Sequence, residues 1–178
     1  MDIINLLESN SYTAIEKRRR IENAIKTKDI TIKEIQSTKS VIDDKRMAIV
    51  LEAMEQVMQK NPELASVEWL KFVQEFILSN SNNLKRESSR IIGNIAQLFP
   101  NDLETAIQRL MINTEDLGTV IRWGSAYAFA RIIIVPKFAN SELYNTLSKL
   151  CEKEENNGVK NQLLNALKKA KKLRNNNG

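Results

Sequence analysis

The sequence predicts an all-α fold, and three observations carry that prediction. Only five glycines and three prolines occur in 178 residues, few for a protein of short strands and tight turns. Leu, Ile, Ala, Glu, Lys and Gln are abundant, and all but Ile are strong helix formers. Most informative is a spacing of large apolar and small residues that returns three times along the chain.

The clearest copy is Ile121, Arg122, Ser125, Ala126, Phe129, Ala130, Ile132. It matches Leu84, Lys85, Ser88, Ser89, Ile92, Gly93, Ile95, which lies 37 residues earlier, and Val159, Lys160, Leu163, Leu164, Leu167, Lys168, Ala170, which lies 38 later. Apolar, basic, a pair of small residues and then an apolar-small pair describe a helix with one hydrophobic face, whose small positions let a neighbour come close. An amphipathic segment precedes each copy. Trp69, Phe72, Val73, Phe76 and Ile77 form the first; Leu103, Ala106, Ile107, Leu110 and Met111 the second; Leu143, Leu147, Leu150 and Cys151 the third. The unit is therefore a helix pair.

Polar or proline-containing breaks separate these segments: NSNN at 80–83, FPND at 99–102, NTEDLGT at 113–119, PKFANS at 136–141 and EENNG at 154–158. Asn101 or Asp102, and Asn140 or Ser141, stand where N-caps are needed, followed by Glu104 and Glu142 in the first turn. Upstream the pattern loosens. TIKEIQSTKSVI and DDKRMAIVLEAMEQVMQKNPEL read as a further pair, although Glu52 and Glu55 interrupt the apolar register of the longer helix. MDIINLLES and TAIEKRRRIENAIK read as an atypical pair that caps the stack. About five antiparallel pairs result, in a single domain over residues 1–174, with capping or degenerate repeats in 1–60 and clearer ones in 64–174. The closing NNNG, 175–178, reads as a disordered tail.

The V-R-x-x-A-A-x-x-L-G-x-I-like spacing of Leu84–Ile95, Ile121–Ile132 and Val159–Ala170 resembles the second helix of HEAT repeats. That resemblance implies an α-α superhelix, an armadillo-like α-solenoid, with a concave face lined by the second helices and used for binding. Template positions two, six and ten after each leading hydrophobe give the stripe expected to face outward: Arg86, Arg90, Asn94; Trp123, Tyr127, Arg131; Asn161, Asn165, Lys169. None is an aliphatic hydrophobe, and two aromatics stand at its centre between cations. Exposed Trp, Tyr and Arg together are the residues of binding hot spots; burial against adjacent second helices is the competing expectation for Trp123 and Tyr127.

Trp69 and Cys151 read as core, and Lys85, Arg122 and Lys160 as one column of a structural ladder with acidic groups such as Asp116 and Glu154. The EKRRR run at 16–20 and the KKAKKLRNNNG tail read as solvated faces and ends. With no histidine and only Cys151, the chain holds no Ser-His or Cys-His nucleophile pair, multi-cysteine metal cluster or intrachain disulfide, and its glycines form no phosphate loop. No cofactor, metal or catalytic activity is expected. The apolar runs are too short to span a membrane, the N-terminus lacks signal-peptide character, and a lone thiol suits a reducing compartment. A cytoplasmic, monomeric or weakly oligomeric scaffold that binds a protein or peptide is the leading expectation. The alternative is a nucleic-acid protein resembling the HEAT-like alkylpurine DNA glycosylases, allowed by the net charge of +5. That family's catalytic carboxylate finds no counterpart among the nine stripe positions.

Overall fold

The computed structural model describes residues 1–175, and every regular element in that range is helical. The elements run α1 (Ile3–Glu8), α2 (Ala14–Lys26), α3 (Ile32–Thr38), α4 (Asp44–Lys60), α5 (Val67–Gln74), α6 (Asn82–Ile95), α7 (Glu104–Asn113), α8 (Thr119–Ile132), α9 (Pro136–Ala139), α10 (Glu142–Lys153) and α11 (Asn157–Asn175). Short 3-10 turns follow α4 and α6 at Pro62–Leu64 and Ala96–Leu98. Residues 176–178, most of the expected disordered tail, lie outside the described range.

Side-chain caps set several of the helix starts. Thr13 and Thr31 form capping boxes with Glu16 and Glu34, so each threonine and its glutamate satisfy one another's backbone N–H. Asp43 caps α4 and Ser141 caps α10. Asn101 and Asp102 do not cap α7, contrary to expectation. Its N-cap position is Leu103, which is fully buried and makes no side-chain cap bond. Burial of that leucine sets the start of α7 without help from a polar side chain. The 136–141 stretch, expected to be a break, contains α9, which opens on Pro136. Proline is favoured at the first helical position because its fixed φ suits the helix and its missing N–H has no intrahelical acceptor there.

The longer helix of each pair packs on the longer helix of the next, in the order α2, α4, α6, α8, α11, and the most extensive of these contacts is α6 on α8. The shorter helices make smaller contacts in the order α1, α3, α5, α7, while α10 packs on α11. One hydrophobic core runs through the chain from Ile3 to Ala170 and includes Trp69 and Cys151, both buried as expected. The first 60 residues thus extend the same row, with α2 against α4 and α4 against α6.

Small residues explain why α6 and α8 approach so closely. A Cβ on Gly93 would lie 3.0 Å from the backbone Cα of Ala128, closer than such atoms settle without movement. A Cβ on Gly124 would meet Ser89 Cβ at 3.5 Å, an ordinary contact. Two ion pairs at equivalent repeat positions help to bind successive pairs together. Lys85 of α6 donates to Asp116 at 2.8 Å, and Arg122 of α8 donates to Glu154 at 3.0 and 3.3 Å. Each carboxylate also accepts a backbone N–H in its own turn, from Gly118 and Asn156 respectively. These are the first two rungs of the expected ladder.

The two glycines yield opposite predictions. Gly93→Ala should lower unfolding stability by about 1–2 kcal/mol, because overpacking against backbone outweighs the gain of about 1 kcal/mol in helix propensity. Gly124→Ala should be neutral or stabilising by up to about 1 kcal/mol. Chemical denaturation of both variants checks the pair; equal effects would contradict the close approach at Gly93.

Candidate functional site

The middle of the stripe is a polar network on three helices. Glu55 of α4 is fully buried and Glu87 of α6 is 2% exposed. Arg90 lies between them, with Nη2 2.9 Å from Glu55 and Nη1 3.2 Å from Glu87. Arg86 pairs with Glu87 at 2.6 Å from the other side. Asn94 donates to Glu55 at 3.2 Å and accepts the Tyr127 hydroxyl proton at 2.7 Å. Carboxylate, guanidinium, amide and phenol therefore form one connected chain from α4 through α6 to α8. A buried polar group costs stability unless it is paired, and here each side chain has at least one partner.

For Tyr127 the structure bears out burial, the competing expectation, and takes it off the exposed stripe. It is 6% exposed, so it belongs to the support of the face and not to its surface. Its ring lies under the Arg131 guanidinium at 3.4 Å, with Arg90 at 5.9 Å on the network side. Arg131 also donates to the Tyr127 carbonyl at 3.3 Å. Trp123 is half-buried against the core, tilted at 35° to Tyr127 with ring centroids 5.4 Å apart. It borders the start of α11, where a Cβ on Gly158 would lie 4.0 Å from its Cδ1.

The structure thus divides the nine stripe residues. Arg90, Asn94 and Tyr127 are engaged in the network, whereas Arg86 is paired at its edge. Trp123 and Arg131 keep part of their surface in solvent, and Asn161, Asn165 and Lys169 on α11 are exposed. A hollow of about 250 Å³ beside Tyr127 and Arg131 is completed by Gln59, Asn94, Gln97 and Leu98. Amide side chains and one guanidinium on such a rim can hydrogen-bond main-chain amides and carboxylates.

Glu55 and Glu87 were missed as members of the site. The signal for Glu55 was present in the sequence, since it interrupts the apolar register of α4; a polar break on a buried face marks a group whose partner comes from another helix. Glu87 gave no such signal, standing next to the stripe and not on it. Burial pushes the Glu55 carboxyl above its ordinary value, and the Glu87 charge acts in the same direction; Arg90 and Asn94 oppose them. Asp116 and Glu154 are held below the usual carboxylate range, foremost by hydrogen bonds from Lys85 and Arg122.

These shifts act on stability with opposite signs. Asp116 and Glu154 have lowered folded values, so their contributions are present above the unfolded value and lost as pH falls through the folded one. Glu55 has a raised folded value, so the native state binds the extra proton, and its contribution declines as pH rises above the ordinary glutamate value. In Glu55→Gln that decline is removed. The stability of wild type relative to Glu55→Gln should therefore fall between acid and neutral pH, measured by denaturation at a series of pH values; a rising difference would contradict the burial of Glu55.

No protein-family model matches the chain, and no curated protein matches it in sequence. Among solved structures it is similar to the crystal structure of an engineered protein, a Northeast Structural Genomics Consortium target, with a TM-score of 0.75 at 15% identity. That likeness covers 96% of this chain and 78% of the engineered one, and at this identity it concerns the fold alone. The chain is an all-α protein, and no helix among the described residues is long and apolar enough to cross a membrane.

Proposed function

We propose that the chain is a HEAT-like α-solenoid that binds a protein or peptide segment along the face formed by its second helices. The repeat template, the row of contacts α2, α4, α6, α8, α11 and the likeness of fold to an engineered helical protein support the architecture. One observation carries the binding reading. Trp123 is a partly exposed aromatic set on a buried, hydrogen-bonded tyrosine whose ring Arg131 covers, and it borders the start of α11. A rigid aromatic anchor on the same helix face as a guanidinium loses little side-chain entropy on binding, which is the composition of a protein-recognition hot spot.

The charge pattern favours protein over phosphate. Arg86 and Arg90 are already matched by Glu87 and Glu55, so they release no counterions on meeting a nucleic-acid backbone. A peptide needs less charge and more hydrogen bonding, which the exposed Gln97, Asn161 and Asn165 can supply.

Peptides selected from a random display library on the immobilised chain test the reading. Trp123→Ala should keep the helical circular dichroism signal and weaken the selected peptides by roughly tenfold or more, as hot-spot truncations do. Gln108→Ala, on exposed surface of α7, should leave them unchanged. The reading fails if Trp123→Ala and Arg131→Ala leave every selected peptide at wild-type affinity. Salt-sensitive binding of labelled duplex, lost in Arg86→Ala and Arg131→Ala, would replace it by the nucleic-acid reading.

A further inference from the structure

We infer that the exposed face of α10 and α11 is a docking surface for an acidic amphipathic helix of a partner protein. The inference rests on a comparison of equivalent positions along the row, independent of the Trp123 face. In α6 and α8 the fifth residue after the leading hydrophobe is Ser89 or Ala126, each about 2% exposed or less under the next pair. In α11 the same position is Leu164, 38% exposed. The eighth residue is Ile92, Phe129 and Leu167 in turn, buried in all three. A hollow of about 420 Å³ follows, floored by Leu164, Leu167, Tyr144 and Cys151.

The rim of this hollow differs from its upstream counterparts in charge. Lys168 and Lys171 are exposed where the earlier helices carry Gly93 and Ala130, then Ala96 and Ile133. Two lysines at those positions forbid the close approach that joins α6 to α8, so another pair built on the same template does not fit. An occupant with carboxylates beside its apolar stripe does fit, since Lys160, Lys168 and Lys171 face the hollow against a single carboxylate, Glu152.

The ladder points the same way. Lys85 takes Asp116 and Arg122 takes Glu154, each carboxylate lying in the turn between the two helices of the next pair. Lys160 is the third cation of that column, and among the described residues no carboxylate lies within ion-pair distance of it. An acidic residue near one end of the docked helix would complete the third rung. A second copy of this chain is a poor occupant. Two such faces would oppose their own lysines, and the α2 end of the row exposes Arg19 and Arg20.

A synthetic helix of about four turns, with leucines at i, i+3, i+4 and i+7 and glutamates on both flanks, is the probe. Titrated into the isotopically labelled protein at low salt, it should produce saturable resonance shifts centred on Leu164, Tyr144 and Lys160. K160E/K168E/K171E, which replaces only side chains at the groove rim, should retain the wild-type melting temperature and lose at least roughly tenfold in affinity. It should also gain affinity for the same peptide with lysine flanks. Leu164→Ser should weaken the acidic peptide without changing its salt dependence. No saturable shift at millimolar peptide overturns the inference. So does equal binding of a scrambled peptide of identical composition, which would show charge attraction without a groove, and so does a wild-type dimer in sedimentation that Leu164→Glu dissolves.

Discussion

The approach of α6 to α8 is the constraint on which the rest of the molecule depends. Gly93 lets the backbone of α8 come within contact distance of α6, with Gly124 and Ser89 side by side across the same interface. At that separation Asn94 reaches the Tyr127 hydroxyl, and the Tyr127 ring lies between Arg90 and Arg131. A wider spacing would break the bond between the Tyr127 hydroxyl and Asn94 and leave the buried phenol without its partner, at a cost of about 1–3 kcal/mol. Close packing and the polar network therefore specify one arrangement of α4, α6 and α8 between them, and that arrangement holds Trp123 at the surface.

A division of labour follows along each second helix. One face carries large hydrophobes into the shared core, small residues admit the neighbouring helix, and a basic residue near the start holds the next turn through Asp116 or Glu154. The remaining positions need not serve the fold. In α8 they carry Trp123 and Arg131, and in α11 they carry exposed amides and lysines. The proposed recognition face and the proposed end groove both arise where residues exceed what the repeat needs.

Much of this was legible in the sequence because it is local or periodic. The three-fold template located α6, α8 and α11, and the acidic partners of Lys85 and Arg122 followed from their place in the repeat. Trp69 and Cys151 read correctly as core from helical phase. What failed depended on neighbours. An i, i+4 stripe places Tyr127 outward on its own helix, yet α6 buries it through Asn94 and the close approach at Gly93. Asn101 and Asp102 read as caps from residue type alone, whereas burial of Leu103 set the start of α7. Charge partners that the repeat template does not relate, such as Glu55 and Arg90, leave only an indirect trace, a glutamate out of phase.

If the Gly93 contact and the polar network fix α6 against α8, these two helices form the most tightly held part of the row. Native-state hydrogen exchange tests it most directly, because amides in a locked interface exchange only when the whole chain unfolds. The slowest amides should lie at 89–95 and 124–129 and share one opening free energy equal to that of global unfolding, while α1 and the end of α11 open earlier. Exchange of the α6 and α8 amides through local openings as easy as those of α1 would contradict it.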